Sequence, residues 1–271
     1  MKVKVIDVKG KHSTEVEVPE VFYGPLRSDL VKRAFWIIAS HGRQPYGRDP
    51  MAGMKTSAET SNPPTGRGVS RIPRVKGDRH PRSGHGAGVA SVVGGRLPHP
   101  PKAEKVIYQK INEKEKRLAL ASAIAFTADA DSVTGRGHRI AKSSLPLVVS
   151  DDVETIAKTR EFKSFLENVG LTDELERLYD GVKRLSGKPR MRGRAHREKV
   201  GPLLVISNDR GVVRAASSIP GVEVVPADSL SVLNLSPGGV PGRLTMWTES
   251  SLELLKPREK KDKEIEMKVA A

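Results

Sequence analysis

A stretch of sixty residues, 41–100, sets the first limit on any fold this chain adopts. It holds eleven glycines, eight prolines, ten Arg or Lys and three acidic residues, an excess of seven positive charges. Neither a period of 2 nor one of 3.6 persists along it, so no half-buried strand or amphipathic helix is predicted there. A structureless connection of that length is uncommon inside a compact domain unless it is itself functional. Patterned sequence flanks it on both sides, which makes it an arm tethered at both ends. Folded back as a hairpin of about 30 residues each way, it reaches at most roughly 100 Å.

The flanks are regular. Val3, Val5, Ile6 and Val8, then Val16 and Val18, alternate as two short strands around a turn at Gly10–Ser13. Leu30, Val31, Ala34, Phe35 and Ile38 fall at helical spacing, with Ser28 as N-cap and a stop at His41–Gly42. Beyond the arm, Asn112 caps a predicted helix with Leu118, Ala121, Ile124 and Ala125 on one face. Leu145–Ser150 is a short apolar run of the kind found in buried parallel strands. Residues 151–170 open on carboxylates and close on a glycine, the pattern of one capped helix. Residues 172–185 predict another, capped by Thr172.

Strands at Leu203–Ser207, Val222–Val225 and Leu244–Trp247 then alternate with helices at Arg210–Ser217, a short segment, and Glu249–Leu255. Such alternation predicts an α/β fold, a layered domain with a mostly parallel sheet flanked by helices. The expected organisation is one globular α/β domain from 1–40 and 101–256, an extended basic loop at 41–100, and a mixed-charge tail at 257–271. Without the loop, about 210 residues remain, sufficient for a sizeable core.

Most chemistries find no support. The chain has no cysteine, which excludes a disulfide framework or thiolate zinc site and agrees with a reducing compartment. The longest apolar run, Leu118–Phe126, is far short of the roughly 18 residues of a membrane span, and the N-terminus lacks a signal-peptide core. A cytoplasmic protein without a membrane partner is expected. The glycine clusters at Gly66–Gly68, Gly84–Gly88 and Gly135–Gly137 lack the strand before and helix after that a phosphate-cradling fingerprint needs. His12, His41, His80, His85, His99, His138 and His196 form no i, i+4 pair, gather no carboxylates and stand mostly among arginines, so no metal set is expected. Asp151 and Asp152 suit a helix N-terminus, and Asp129 and Asp131 lack a nearby nucleophile or histidine. No catalytic site, cofactor or small-molecule substrate is predicted.

Charge is the positive signal. The chain carries 47 Lys+Arg against 32 Asp+Glu, a net +15, which favours a polyanionic partner. A second cluster at 183–199 holds eight Arg or Lys and one Glu, and the two clusters account for most of the excess. The arm favours arginine, whose planar fork bonds phosphate oxygens bidentately. Glycine and proline between the charges limit helix formation and let backbone approach a surface. Such a segment stays without order alone and folds on structured RNA. Aromatic residues make up only 4%, so stacking of single-stranded bases on several exposed rings is not the expected mode. Two other classes fit part of this pattern. An α/β enzyme with a basic lid needs a phosphate loop or acid/base pair, and neither is present. A DNA-binding protein with a basic arm lacks a helix-turn-helix or zinc module.

The wording of the arm adds a family. Residues 64–101, "PTGRGVSRIPRVKGDRHPRSGHGAGVASVVGGRLPHPP", resemble the central loop of large-subunit ribosomal protein L-four in its archaeal and eukaryotic form. "ALASAIAFTADADSVTGRGH", "LPLVVSDD" and "LSPGGVPGRLTMWTESSLELL" resemble the same family, so the likeness runs from the first helix to about Lys256. It implies a globular domain on the outer face of the large subunit and a loop threaded into ribosomal RNA, supporting subunit assembly. The loop tip would help line the nascent-peptide exit tunnel, opposite protein L-twenty-two. On this sequence the implied tip is Gly66–Lys76, with Gly66, Arg67, Gly68, Arg71 and Arg74 nearest the tunnel. Arg43, Arg48 and Lys55 on one stem, and Arg79, Arg82 and Arg96 on the other, would lie along RNA, and Lys76 at the end of the tip would also contact it. Arg190, Arg192, Arg194 and Arg197 would form a second RNA contact.

Overall fold

Alternation of Lys2 and Lys4 with Val3 and Val5 gives strand β1 (Lys2–Ile6), its valines buried and its lysines exposed. A turn at Asp7–Gly10 leads into the antiparallel β2 (His12–Glu17). A 3-10 turn at Glu20–Tyr23 precedes helix α1 (Ser28–His41). Ser28 lies inside the first turn of this helix rather than before it. Residues 2–140 and 145–255 are described by this computed structural model; the expected tail at 257–271 lies outside them.

The chain divides into two compact units, Ser40–Gln109 and the remainder. The first contains two minimal strands, β3 (Ala58–Glu59) and β4 (Arg74–Val75). The remainder continues with α2 (Glu113–Ala128), α3 (Ala130–Gly135), β5 (Leu147–Val149), α4 (Thr159–Asn168) and α5 (Thr172–Asp180). A short hairpin follows, β6 (Lys183–Arg184), α6 (Lys188–Met191) and β7 (His196–Arg197). Then come β8 (Leu203–Ile206), α7 (Val212–Ala216), β9 (Glu223–Pro226), α8 (Val232–Leu235), β10 (Thr245–Thr248) and α9 (Glu249–Leu254).

Six strands form one sheet in the order β2-β1-β5-β10-β8-β9, parallel except for the β1–β2 edge pair. Its register aligns Val5, Val148, Trp247, Val205 and Val225 in a row across five strands. Because side chains alternate along a strand, that row faces one layer of helices. Val31 and Ala34 of α1, Ala119, Ala123 and Phe126 of α2, and Leu235 of α8 cover it. On the opposite face, Leu147, Met246 and Leu204 meet Phe162, Phe165 and Leu166 of α4 and Ala215 of α7. Burial on both faces explains why β5 and β8 are apolar without interruption. The predicted α/β layers are therefore present.

Three local expectations change. Leu118 points outward from α2, and Ala119, Ser122, Ala123 and Phe126 face the core. The second half of α2 is buried almost all round, so its one-sided spacing was a poor guide. Residues 151–170 are a 3-10 turn (Asp151–Thr155) followed by α4, not one helix. α5 stops at Asp180, and Lys183–Arg184 turn into a strand.

Candidate nucleic-acid interface

The arm unit is closed at its base by paired chain ends. The His41 ring stacks on Tyr108 with centroids 3.9 Å apart, and its Nε2 lies 2.9 Å from the Gln109 carbonyl. The Gln109 N–H donates to Ser40 Oγ at 3.1 Å. Further out, the Arg48 N–H donates to the Pro101 carbonyl at 3.0 Å. Gly53 (φ +82°) lies so close to the returning chain that a Cβ would meet the Arg96 nitrogen at 2.6 Å. β3 pairs antiparallel with β4, and β4 is bonded in turn to the next pass through Val75 N–H to His85 O and Ala87 N–H to Pro73 O, both 2.9 Å. Among the described arm residues beyond Ser40, only Ala87 is buried. Main-chain bonds and small residues hold the unit, which is why no hydrophobic period announced it.

This scaffold sorts the expected cations. Arg43, Arg48, Lys55, Arg67, Arg71, Lys76, Arg79, Arg82 and Arg96 are exposed. Lys55 pairs with Asp49 at 3.0 Å, and Lys76 pairs with Glu59 across the β3–β4 ladder. Arg71 Nη2 donates to Thr65 Oγ1 at 3.3 Å. Arg43, Arg67, Arg79, Arg82 and Arg96 have no carboxylate partner among the described residues. Arg74 differs from the rest of the expected tip. It lies in β4, half-buried, donating through Nη1 to the Gly84 carbonyl at 2.9 Å. It braces the arm from inside. The open tip is the segment between the two strands, where Gly66 (φ +97°) and Gly68 (φ +64°) supply left-handed turns with nothing within 4 Å of their Cβ positions.

The second cluster is a hairpin rather than a plain connection. Lys183 stands opposite Arg197 and Arg184 opposite His196. Like charges directly across an antiparallel pair are destabilising. Arg190, Arg192 and Arg194, on α6 and the turn after it, are also exposed. Both register pairs in this hairpin thus set a cation against a cation or a histidine.

The strongest polar cluster in the body was not legible in sequence. His138 is buried with its Nδ1 2.6 Å from Glu174 Oε1. Arg177 grips Glu174 through Nη2 at 2.6 Å and Nε at 2.8 Å, and the Arg139 N–H donates to it at 3.0 Å. Burial alone would raise the Glu174 pKa, but the Arg177, His138 and Arg139 bonds outweigh it and hold the carboxyl at about 2. Burial pushes the His138 pKa down, with Arg177 and Arg136 opposing a further positive charge. The Glu174 carboxylate works against that lowering, and burial prevails. Glu174 sits on α5, thirty-six residues from His138, so only folding brings them together.

At the carboxyl ends of the central strands, where open α/β sheets bind ligands, the acidic side chains are bonded internally. Glu154, 1% exposed, accepts from the Ser207 N–H at 2.8 Å and the Thr248 hydroxyl at 3.2 Å. Asp151 accepts from the N–H and hydroxyl of Ser250 at 3.0 and 2.8 Å, capping α9 rather than its own segment. Asp129 caps α3 by accepting from the Ser132 N–H at 3.2 Å. Among the described residues no group of three or more His, Asp or Glu is placed to hold a metal, and no helix is long and apolar enough to cross a membrane.

Comparison with known sequences points one way. A sequence model of the Ribosomal protein L4/L1 family matches residues 16–258. The large ribosomal subunit protein uL4 of Sulfolobus acidocaldarius is 43% identical over 258 residues, covering 95% of this chain and 94% of that protein. The uL4 of Sulfurisphaera tokodaii matches to the same extent. That of Saccharolobus islandicus is 41% identical over 256 residues, 94% of this chain and 93% of that protein.

Proposed function

The chain belongs to the ribosomal protein L4/L1 family, and on that premise we propose that it binds large-subunit ribosomal RNA, supports subunit assembly and helps line the peptide exit tunnel. It does so as a structural, non-enzymatic component, ribosome-bound in the cytoplasm. The observation that carries the reading is the hairpin at 183–197, where Lys183 faces Arg197 and Arg184 faces His196 in register. No internal partner relieves that repulsion among the described residues, whereas a ribose-phosphate backbone would. The arm supplies a second polyanion surface through Arg43, Arg48, Arg67, Arg79, Arg82 and Arg96. The tip around Gly66, Arg67, Gly68 and Arg71 is the part that reaches the tunnel, opposite protein L-twenty-two. Arg74 serves this role indirectly, by holding the strands that carry the tip.

Co-sedimentation tests the reading. The full chain should remain with large subunits through a high-salt wash, and deletion of Gly66–Arg71, which spares the β3–β4 ladder, should leave incorporation intact while altering tunnel-wall chemical probing. Free binding to RNA should weaken by roughly three to five orders of magnitude over a fourfold rise in salt if six to ten phosphates are contacted. A chain that washes off subunits, or whose RNA affinity ignores salt, would overturn the proposal.

A further inference from the structure

We propose that the arm carries a cup for one unpaired nucleotide of the large-subunit RNA, a reading that rests on the RNA-binding function above. The cup lies wholly within the arm unit and encloses about 760 Å³, within the roughly 300–1,000 Å³ of ligand pockets and far more than a lone phosphate needs. Its lining combines the basic or imidazole side chains of Lys55, Lys76, His80, Arg82 and His85 with the apolar Val75, Ala87 and Val92. That combination suits a nucleotide, with basic groups for its phosphate and apolar ones against a flat base.

The donors differ in availability. Lys55 and Lys76 are committed to Asp49 and Glu59. Arg82 has no carboxylate partner among the described residues, and its guanidinium lies over Gly94, where a Cβ would come within 2.9 Å of Nη1. Gly94 also has φ +74°, so a side chain there is disfavoured by backbone and contact together. The glycine thereby leaves room for the fork, which stays free for a phosphate. His80 Nδ1 accepts the Arg82 N–H at 3.1 Å. In the neutral ring the proton then sits on Nε2, a donor for a phosphate or base oxygen. The His85 ring has no partner among the described residues, and imidazole is one of the surfaces on which splayed-out bases stack. In an arm poor in aromatic residues, these two histidines provide the ring faces.

The test uses large subunits assembled with the full chain, ultraviolet crosslinking, and mass spectrometry of tryptic peptides after nuclease digestion. The expected result is a mononucleotide adduct on residues 83–96, the tryptic segment that holds His85. Val93 lines the cup's rim and is 91% exposed, so Val93→Glu puts a negative charge there without disturbing packing. It should reduce the adduct by about tenfold or more, in line with loss of one stacked base and its phosphate contact. Val106→Glu, at an 84% exposed arm position outside the cup, should leave it unchanged. Absence of the adduct in particles that retain the chain would overturn the cup and leave RNA binding standing. So would an adduct equally frequent in Val93→Glu, a base found paired by chemical probing, or a crosslink to a neighbouring protein. Binding of free uridine monophosphate by the isolated chain, lost in Val93→Glu, would reassign the cup to free nucleotides. Failure of the unmodified chain to enter subunits would remove both readings.

Discussion

Replacing Glu174 with glutamine removes one charge from the buried cluster while keeping the side chain's volume. Glu174 is fully buried, and Arg177, only 13% exposed at its side chain, would keep its charge beside a neutral amide. Breaking a buried pair by removing one partner costs about 3–5 kcal/mol. Proton linkage gives a matching figure. Holding the carboxyl at about 2 against its ordinary 4.5 corresponds to about 3 kcal/mol at neutral pH. For a body of roughly 200 residues, about 3 kcal/mol lowers Tm by about 6–12 °C.

The pH dependence has a definite sign. The folded carboxyl titrates below the unfolded one, so its contribution is complete above pH 4.5 and is lost as pH falls from there through about 2. His138 acts in the same direction at higher pH. Its folded value lies below the ordinary 6.5, so stability begins to fall as pH drops through 6.5. Thermal unfolding followed by circular dichroism at a series of pH values reads both. Glu174→Gln should lower Tm at neutral pH and abolish the component between pH 4.5 and 2. A Tm within about 2 °C of the parent, or an unchanged acid limb, would refute the cluster's stabilising role.

Trp247 is fully buried and meets Phe22 edge-on at 5.3 Å, whereas Trp36 is 54% exposed. Trp247→Ala should cost about 3–5 kcal/mol and remove the blue-shifted part of the fluorescence, leaving the Trp36 emission. Gly53→Ala forces a Cβ against the Arg96 backbone at φ +82°. It should speed tryptic cleavage within residues 43–100 and leave the Tm of the α/β body unchanged. Arg67→Ala and Arg192→Ala should each lower the salt slope of RNA binding by about 1, the signature of a lost phosphate contact. An unchanged slope would place those side chains away from the backbone of the RNA.

Local pattern and charge decided much of this protein before any contact was formed. The uninterrupted apolar runs at Leu147–Val149 and Leu203–Ile206 require burial on both faces, and the helices between later strands then dictate parallel layers. The arm's lack of periodicity set it apart from the patterned flanks, and its arginines gave it most of its excess charge. Those are properties of neighbours in sequence.

Tertiary structure decided what depends on partners far apart along the chain. β3 and β4 are two residues each, too short for any periodic signal, and exist because the arm folds back on itself. Arg74 reads in sequence like Arg67 and Arg71, yet pairing with residues 58–59 and 86 turns it inward. His138 joins a buried polar network only because α5 delivers Glu174 and Arg177 to it. Asp151 caps α9 across ninety-nine residues rather than the turn it begins. Sequence fixes which groups are charged or apolar; which of them meet, and so which charges keep no internal partner among the described residues, follows from closure of the chain over long separations.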